Sequence, residues 1–170
     1  VSRFPAPFSL NPDNVTPYTT QWNVNVQRNF LRNYLLEVAY TGSAGRKLWK
    51  RYNQNQPSEG TTPLQERLPF PHFDPVILTS SNDAYSDFNG ISIRIDKRYS
   101  GGLFFGGFYQ NSKMTDNNSG QAESNDTAFR WDKDADFSLS RYHQRHRSSI
   151  TFGYELPFGP NKPWLSNGGV

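Results

Sequence analysis

The chain has 170 residues, of which 34% are hydrophobic and 15% aromatic, with 13 Phe, 9 Tyr, 4 Trp, 12 Pro and 13 Gly. An apolar share below the roughly 45–50% of soluble domains, joined to so many β-favouring rings, excludes an ordinary helical enzyme and fits a β-protein with long polar loops. The net charge of +3 forms no basic block, so no nucleic-acid partner is expected, and the lack of cysteine removes disulfides, thiolate-bound zinc and thiol catalysis.

In chain order, Trp22, Val24 and Val26 alternate with Asn23, Asn25 and Gln27, which predicts a two-faced strand over 19–27. After a short link at 28–33, Tyr34, Leu36, Val38 and Tyr40 alternate with Leu35, Glu37, Ala39 and Thr41, predicting a strand over 34–42 and a hairpin. Ile91, Ile93 and Ile95 against Ser92, Arg94 and Asp96 mark the clearest strand, 88–98. Gly101-Gly102 turns the chain into 102–111, where Leu103, Phe105, Gly107 and Tyr109 share a face while Phe104 and Phe108 fall on the side that should be polar. A last strand over 146–156 sets Ile150, Phe152, Tyr154 and Leu156 opposite Ser149, Thr151, Gly153 and Glu155, and Pro157 ends it.

The links alternate in length: short at 28–33 and 98–102, long at about 43–88 and 112–145. Tight turns at one end of a sheet and long loops at the other are the asymmetry of outer-membrane barrels. The fold class expected is therefore all-β: an antiparallel up-and-down meander, part of a transmembrane β-barrel with long extracellular loops. Within the first long link, 48–53 and 76–80 read as strand pieces continuing above the membrane. The face expected to meet lipid carries Trp22, Val24, Val26, Leu36, Val38, Tyr40, Ile91, Ile93, Ile95, Leu103, Phe105, Tyr109, Ile150, Phe152 and Tyr154. Glu37, Arg94, Asp96 and Glu155 are expected to face the lumen. Trp22, Tyr34, Tyr40, Tyr109 and Tyr154 lie near strand ends, where a ring with a polar tip suits the water–lipid boundary.

Several phrases then resemble one family. Thr16-Pro17-Tyr18-Thr19-Thr20-Gln21-Trp22-Asn23, followed by Val26-Gln27-Arg28, resembles the "TPY-x-QQWN…QR" of a barrel strand in Oar-like TonB-dependent receptors. Leu36 to Ser43 resembles "LEVGYVGS", Asn53 to Pro57 resembles "NINQP", and Phe88 to Ser100 is similar to "YNALQVRLEKRFS". Arg145-His146-Arg147 with Tyr154 to Gly159 resembles "RHRF…YELPFG", whereas Gln110 and Asn111 depart from the family's "YTWSKS". The resemblance runs in order over nearly all of the chain. It implies an internal segment of an outer-membrane receptor whose barrel holds a plug and draws energy from the inner-membrane TonB complex. The implied partners are outer-membrane lipid, the remainder of the barrel with its plug, the TonB complex through parts outside this chain, and an unidentified external ligand. The implied location is the outer membrane of a Gram-negative bacterium.

Both ends read as cuts, since no export signal opens the chain and the last residues form a turn-like Ser-Asn-Gly-Gly-Val. About five membrane strands are expected, against roughly eight in the smallest closed barrels, so this segment alone is expected neither to fold stably nor to transport.

No catalytic site, metal site or cofactor is expected. Asp132, Asp134 and Asp136 alternate like the start of a calcium loop, but Phe137 and His143 stand where its glycine and glutamate belong. His143 and His146 are three apart, a spacing with no shared face on a strand, and His72 is the only other histidine. No serine has a nucleophile-elbow setting, the glycine pairs 101–102 and 106–107 precede no helix, and the sequons at Asn14 and Asn125 carry no weight in a bacterium. Two other readings follow from the same residues: a soluble β-sandwich binding carbohydrate or acting in adhesion, and a barrel that serves as a passive scaffold.

Overall fold

The computed structural model describes residues 8–120, 127–128, 132 and 134–164. Its strands are β1 (Ser9–Leu10), β2 (Tyr18–Phe30), β3 (Tyr34–Asn53), β4 (Leu78–Ser100), β5 (Leu103–Asp116), β6 (Thr127–Ala128), β7 (Ser138–Leu139) and β8 (His146–Tyr154), with one short helix, α1 (Leu64–Arg67). The long strands run in the order β2-β3-β4-β5, and β5 then pairs with β8 over 103–111 and with β7 over 115–116. Sequential neighbours make this an antiparallel up-and-down sheet. The parallel contacts are two-residue additions, β1 on β4 and β6 on β3.

The predicted strands appear, and two of them are much longer than expected. β3 has 20 residues and β4 has 23, so the first long link shrinks to 54–77. Alternation hid the extensions because residues 42–53 and 78–89 put glycine, serine and asparagine where one-sided apolar residues would signal a strand. β8 stops at Tyr154, two residues short of the expected end.

Turn chemistry sets the hairpins. Gly101 and Gly102 have φ of 63° and 79°, the two left-handed residues of a two-residue primed turn between β4 and β5. The β2–β3 turn uses Leu31 and Arg32 at φ 45° and 52°, a conformation costing roughly 1–2 kcal/mol per side-chain-bearing residue. Asn33 of that turn accepts the Arg98 amide at 2.8 Å, which ties it to β4.

The chain divides into two compact units. One comprises Val1–Trp22, Gly42–Asn89 and Lys113–His143, and holds the buried apolar residues Leu68, Ile77 and Ala84. Among its described residues many of the other buried side chains are polar, with Asn55, Ser81 and Asn117 fully enclosed. Asn55 Nδ2 donates to the carbonyls of Phe70 and Asp74, and its Oδ1 accepts the Phe70 amide, so one carboxamide shapes the 70–74 loop. Asn53 acts similarly, accepting the Ile77 amide and donating to the Pro75 carbonyl.

The other unit comprises Asn23–Thr41, Gly90–Ser112 and Gln144–Val170. Among its described residues Gly90 alone is buried. The described residues of this unit form a sheet without a core of their own.

Candidate functional site

The second unit presents two unlike faces. The β5–β8 register sets Leu103 opposite Tyr154, Phe105 opposite Phe152 and Gly107 opposite Ile150. Ile95 Cγ2 lies 3.3 Å from where a side chain at Gly107 would begin, and the Tyr34 ring sits edge-on to Phe105 at 6.2 Å and stacks on Phe30 at 5.3 Å. These contacts and the two-residue repeat place Leu36, Val38 and Tyr40, Ile91, Ile93 and Ile95, Leu103, Phe105 and Tyr109, and Ile150, Phe152 and Tyr154 on one face. Val24 and Val26 join them, because their neighbours Asn25 and Gln27 donate to Glu37 on the other side, at 2.7 and 3.0 Å.

This apolar face is bare. Ile150 is 78% exposed, Phe152 73%, Val26 65% and Val24 63%; Leu36, Ile95, Leu103 and Phe105 are half-buried by their neighbours in the sheet. Exposed apolar surface this continuous on a well-formed sheet is a partner surface rather than a solvated one.

The opposite face is polar with aromatic inserts. Arg94 Nε donates to Asp96 at 2.7 Å, and Asp96 Oδ1 stands 2.9 Å from where a side chain at Gly106 would begin. Phe104 and Phe108 also lie here, as their parity required, with a cleft of about 480 Å³ bordered by both rings, Arg94, Ser149 and Thr151. Phe104 pairs directly with Gly153 and covers it. Glu155 follows the end of β8: its amide donates to Gly102 at 2.7 Å, and its carboxylate takes the Tyr99 hydroxyl and the Lys162 ammonium. Those two partners, Lys162 first, hold the Glu155 carboxyl below the usual carboxylate range.

The family described as outer membrane beta barrel domain matches the chain over residues 2–170. The chain belongs to that family. Its antiparallel sheet is thus barrel wall of an outer-membrane protein, and the protein resides in the outer membrane of a Gram-negative bacterium. No curated protein and no solved structure matches the chain.

Trp22 belongs to the first unit, where its indole lies over Gly42. Among the described residues no group of three or more His, Cys, Asp or Glu is placed to hold a metal. His143 Nδ1 accepts the Met114 amide at 3.2 Å, and His146 Nδ1 lies 2.8 Å from the Tyr109 hydroxyl. Asp134 accepts the Tyr85 hydroxyl at 2.8 Å, and Asp132 accepts the Asp134 amide at 2.9 Å, which makes this acidic stretch a turn. Asn125 lies outside the described residues. Sequence reasoning missed the asparagine network and the cluster around Arg46, Asp87 and Tyr85, which no periodic signal marks.

Proposed function

We propose that this chain is an internal barrel segment of an Oar-like TonB-dependent receptor, which binds an external ligand and takes part in its energised uptake within the intact protein. One observation carries the membrane part of this reading: the apolar face of β2, β3, β4, β5 and β8 is continuous, and no described part of the chain covers it. A soluble sandwich needs a second layer there, whereas hydrocarbon tails solvate such a face without one. A membrane strand needs about 9–11 residues, so β3 and β4, at 20 and 23, continue well beyond the bilayer.

The TonB-dependent part rests on the phrases at 16–28, 36–43, 53–57, 88–100 and 145–159. In this reading the polar face, with Glu37, Arg94 and Asp96, meets water and the plug, the links after β3 and β5 face the medium, and the protein has no catalytic role. The test is capture of the full-length protein from outer membranes by the periplasmic domain of TonB. Retention is expected. A full-length protein that folds and passes unretained leaves a passive barrel scaffold as the reading.

A further inference from the structure

Alternation splits the run Arg145-His146-Arg147 between the two faces of the second unit. Pairing of β5 with β8 sets Arg147 beside Gln110 and His146 beside Asn111. The ladder runs on past β8, since Ser112 donates its amide to the Arg145 carbonyl at 3.0 Å and its hydroxyl to the Gln144 carbonyl at 2.7 Å. His146 shares parity with Ile150, Phe152 and Tyr154, so it lies on the apolar side, where its Nδ1 meets the Tyr109 hydroxyl at 2.8 Å and the Asn111 carboxamide at 3.3 Å. Arg145 and Arg147 therefore stand on the polar face with Ser149 and Thr151, about 6–7 Å apart along the extended chain, on a backbone that these bonds fix.

Both guanidiniums are exposed, and neither has an ion-pair or hydrogen-bond partner among the described residues. The side chains that the polar face presents at the same end, Asn25, Ala39, Thr41, Ser92 and Gln110, carry no charge. The two carboxylates of this face lie nearer the turns at 31–33 and 101–102 and are engaged there: Glu37 accepts the Asn25 and Gln27 carboxamides, and Asp96 holds Arg94 at 2.7 Å. One end of the face is therefore cationic. The aromatic inserts are distributed the other way, with Phe104 and Phe108 toward the 101–102 turn. A docked protein domain needs apolar anchors, so the half with the rings suits the plug, and the half with the arginines suits a solvated polar ligand.

We propose that Arg145 and Arg147 form a two-armed site for a dianionic ligand, with one acid group on each guanidinium. Guanidinium donors match carboxylate and phosphate oxygens in paired geometry, and a monoanion leaves one of the two charges unmatched. The proposal deepens the receptor reading and rests on it for the access of an external ligand to this end of the polar face.

The test follows modification of single arginines by phenylglyoxal in the purified full-length receptor in detergent, read by peptide mass spectrometry, with adipate, its monoamide or its diamide added. These probes share one carbon chain and are a dianion, a monoanion and a neutral molecule. Arg32, exposed in the β2–β3 turn, is the reference. Arg145 and Arg147 are expected to react about as fast as Arg32 without a probe. Adipate is expected to slow both, with half-protection at about tenfold lower concentration than the monoamide needs, as befits a second charge-assisted contact, and the diamide to protect neither. Arg147→Gln is expected to bring adipate down to the level of the monoamide at Arg145. Raised salt is expected to weaken protection in the unsubstituted receptor, a readout independent of whether a variant folds. Arginines that stay unreactive while Arg32 reacts would belong to acidic side chains of the plug and overturn the proposal. Reaction that adipate does not slow, or equal protection by adipate and either amide, overturns it as well. Failure of the receptor reading shows separately: protection in a protein that TonB does not retain keeps the site in a passive barrel, whereas retention by TonB without protection defeats the site alone.

Discussion

Phe104 and Gly153 face each other directly across the β5–β8 ladder, and the ring occupies the space a side chain on the glycine would need. An aromatic that breaks the polar pattern of its face is thereby explained: it shields the backbone of a strand whose own residue has no side chain. Gly153→Ala in the intact barrel is expected to destabilise it by about 1–3 kcal/mol, the range for forced overpacking. Combined with Phe104→Ala, the glycine substitution is expected to cost much less, because the ring it strikes is gone. Urea unfolding of the refolded barrel in vesicles, read as a double-mutant cycle, checks this; additive effects would contradict it.

The two faces predict opposite tolerance for charge. Ile93→Arg places a guanidinium on the apolar face and is expected to cost about 2–4 kcal/mol near the bilayer midplane. Ser92→Arg, one residue away on the polar face with Arg94, is expected to cost under about 1 kcal/mol, because its guanidinium stays in water instead of entering hydrocarbon. Equal losses in the same unfolding assay would reverse or abolish the assigned faces.

Asn117 substitutes for a neighbouring strand. Its Oδ1 accepts the Tyr85 amide at 2.9 Å and its Nδ2 donates to the Asp83 carbonyl at 3.3 Å, the two bonds a facing peptide group would make. Because Asn117 is 1% exposed, Asn117→Leu strands both backbone groups away from water, and a loss of about 1–3 kcal/mol is expected. Hydrogen exchange at the Tyr85 amide is the local measurement, and unchanged protection there would show the bond to be dispensable.

The Glu155 contacts carry a pH dependence. Lys162 and Tyr99 lower the folded-state pKa of Glu155, so its contribution is complete above the ordinary carboxylate range and is lost as pH falls through the lowered value. Glu155 in turn raises Lys162, whose contribution holds at neutral pH and disappears as pH climbs through its raised value. Protection of the Glu155 amide, which donates to Gly102, is expected to be flat at neutral pH and to fall at both extremes. Glu155→Gln is expected to remove the acid limb, and an acid limb that survives the substitution would assign it elsewhere.

Five strands and their antiparallel order were legible from residues such as Ile91, Ile93 and Ile95, because alternation is a local property: each residue's side of a strand follows from its neighbour's. The primed turn at Gly101-Gly102 was legible for the same reason, since its left-handed backbone depends on the residues in the turn alone. Only the tertiary structure decided how far β3 and β4 extend, why Phe104 sits on the polar side and where Glu155 goes. Those outcomes depend on partners at remote positions, Phe104 with Gly153 and Glu155 with Tyr99. Beyond the apolar stretch, asparagine carboxamides stand in for side-chain packing and backbone ladders, and a polar group's role is set by the donor or acceptor the fold brings to it.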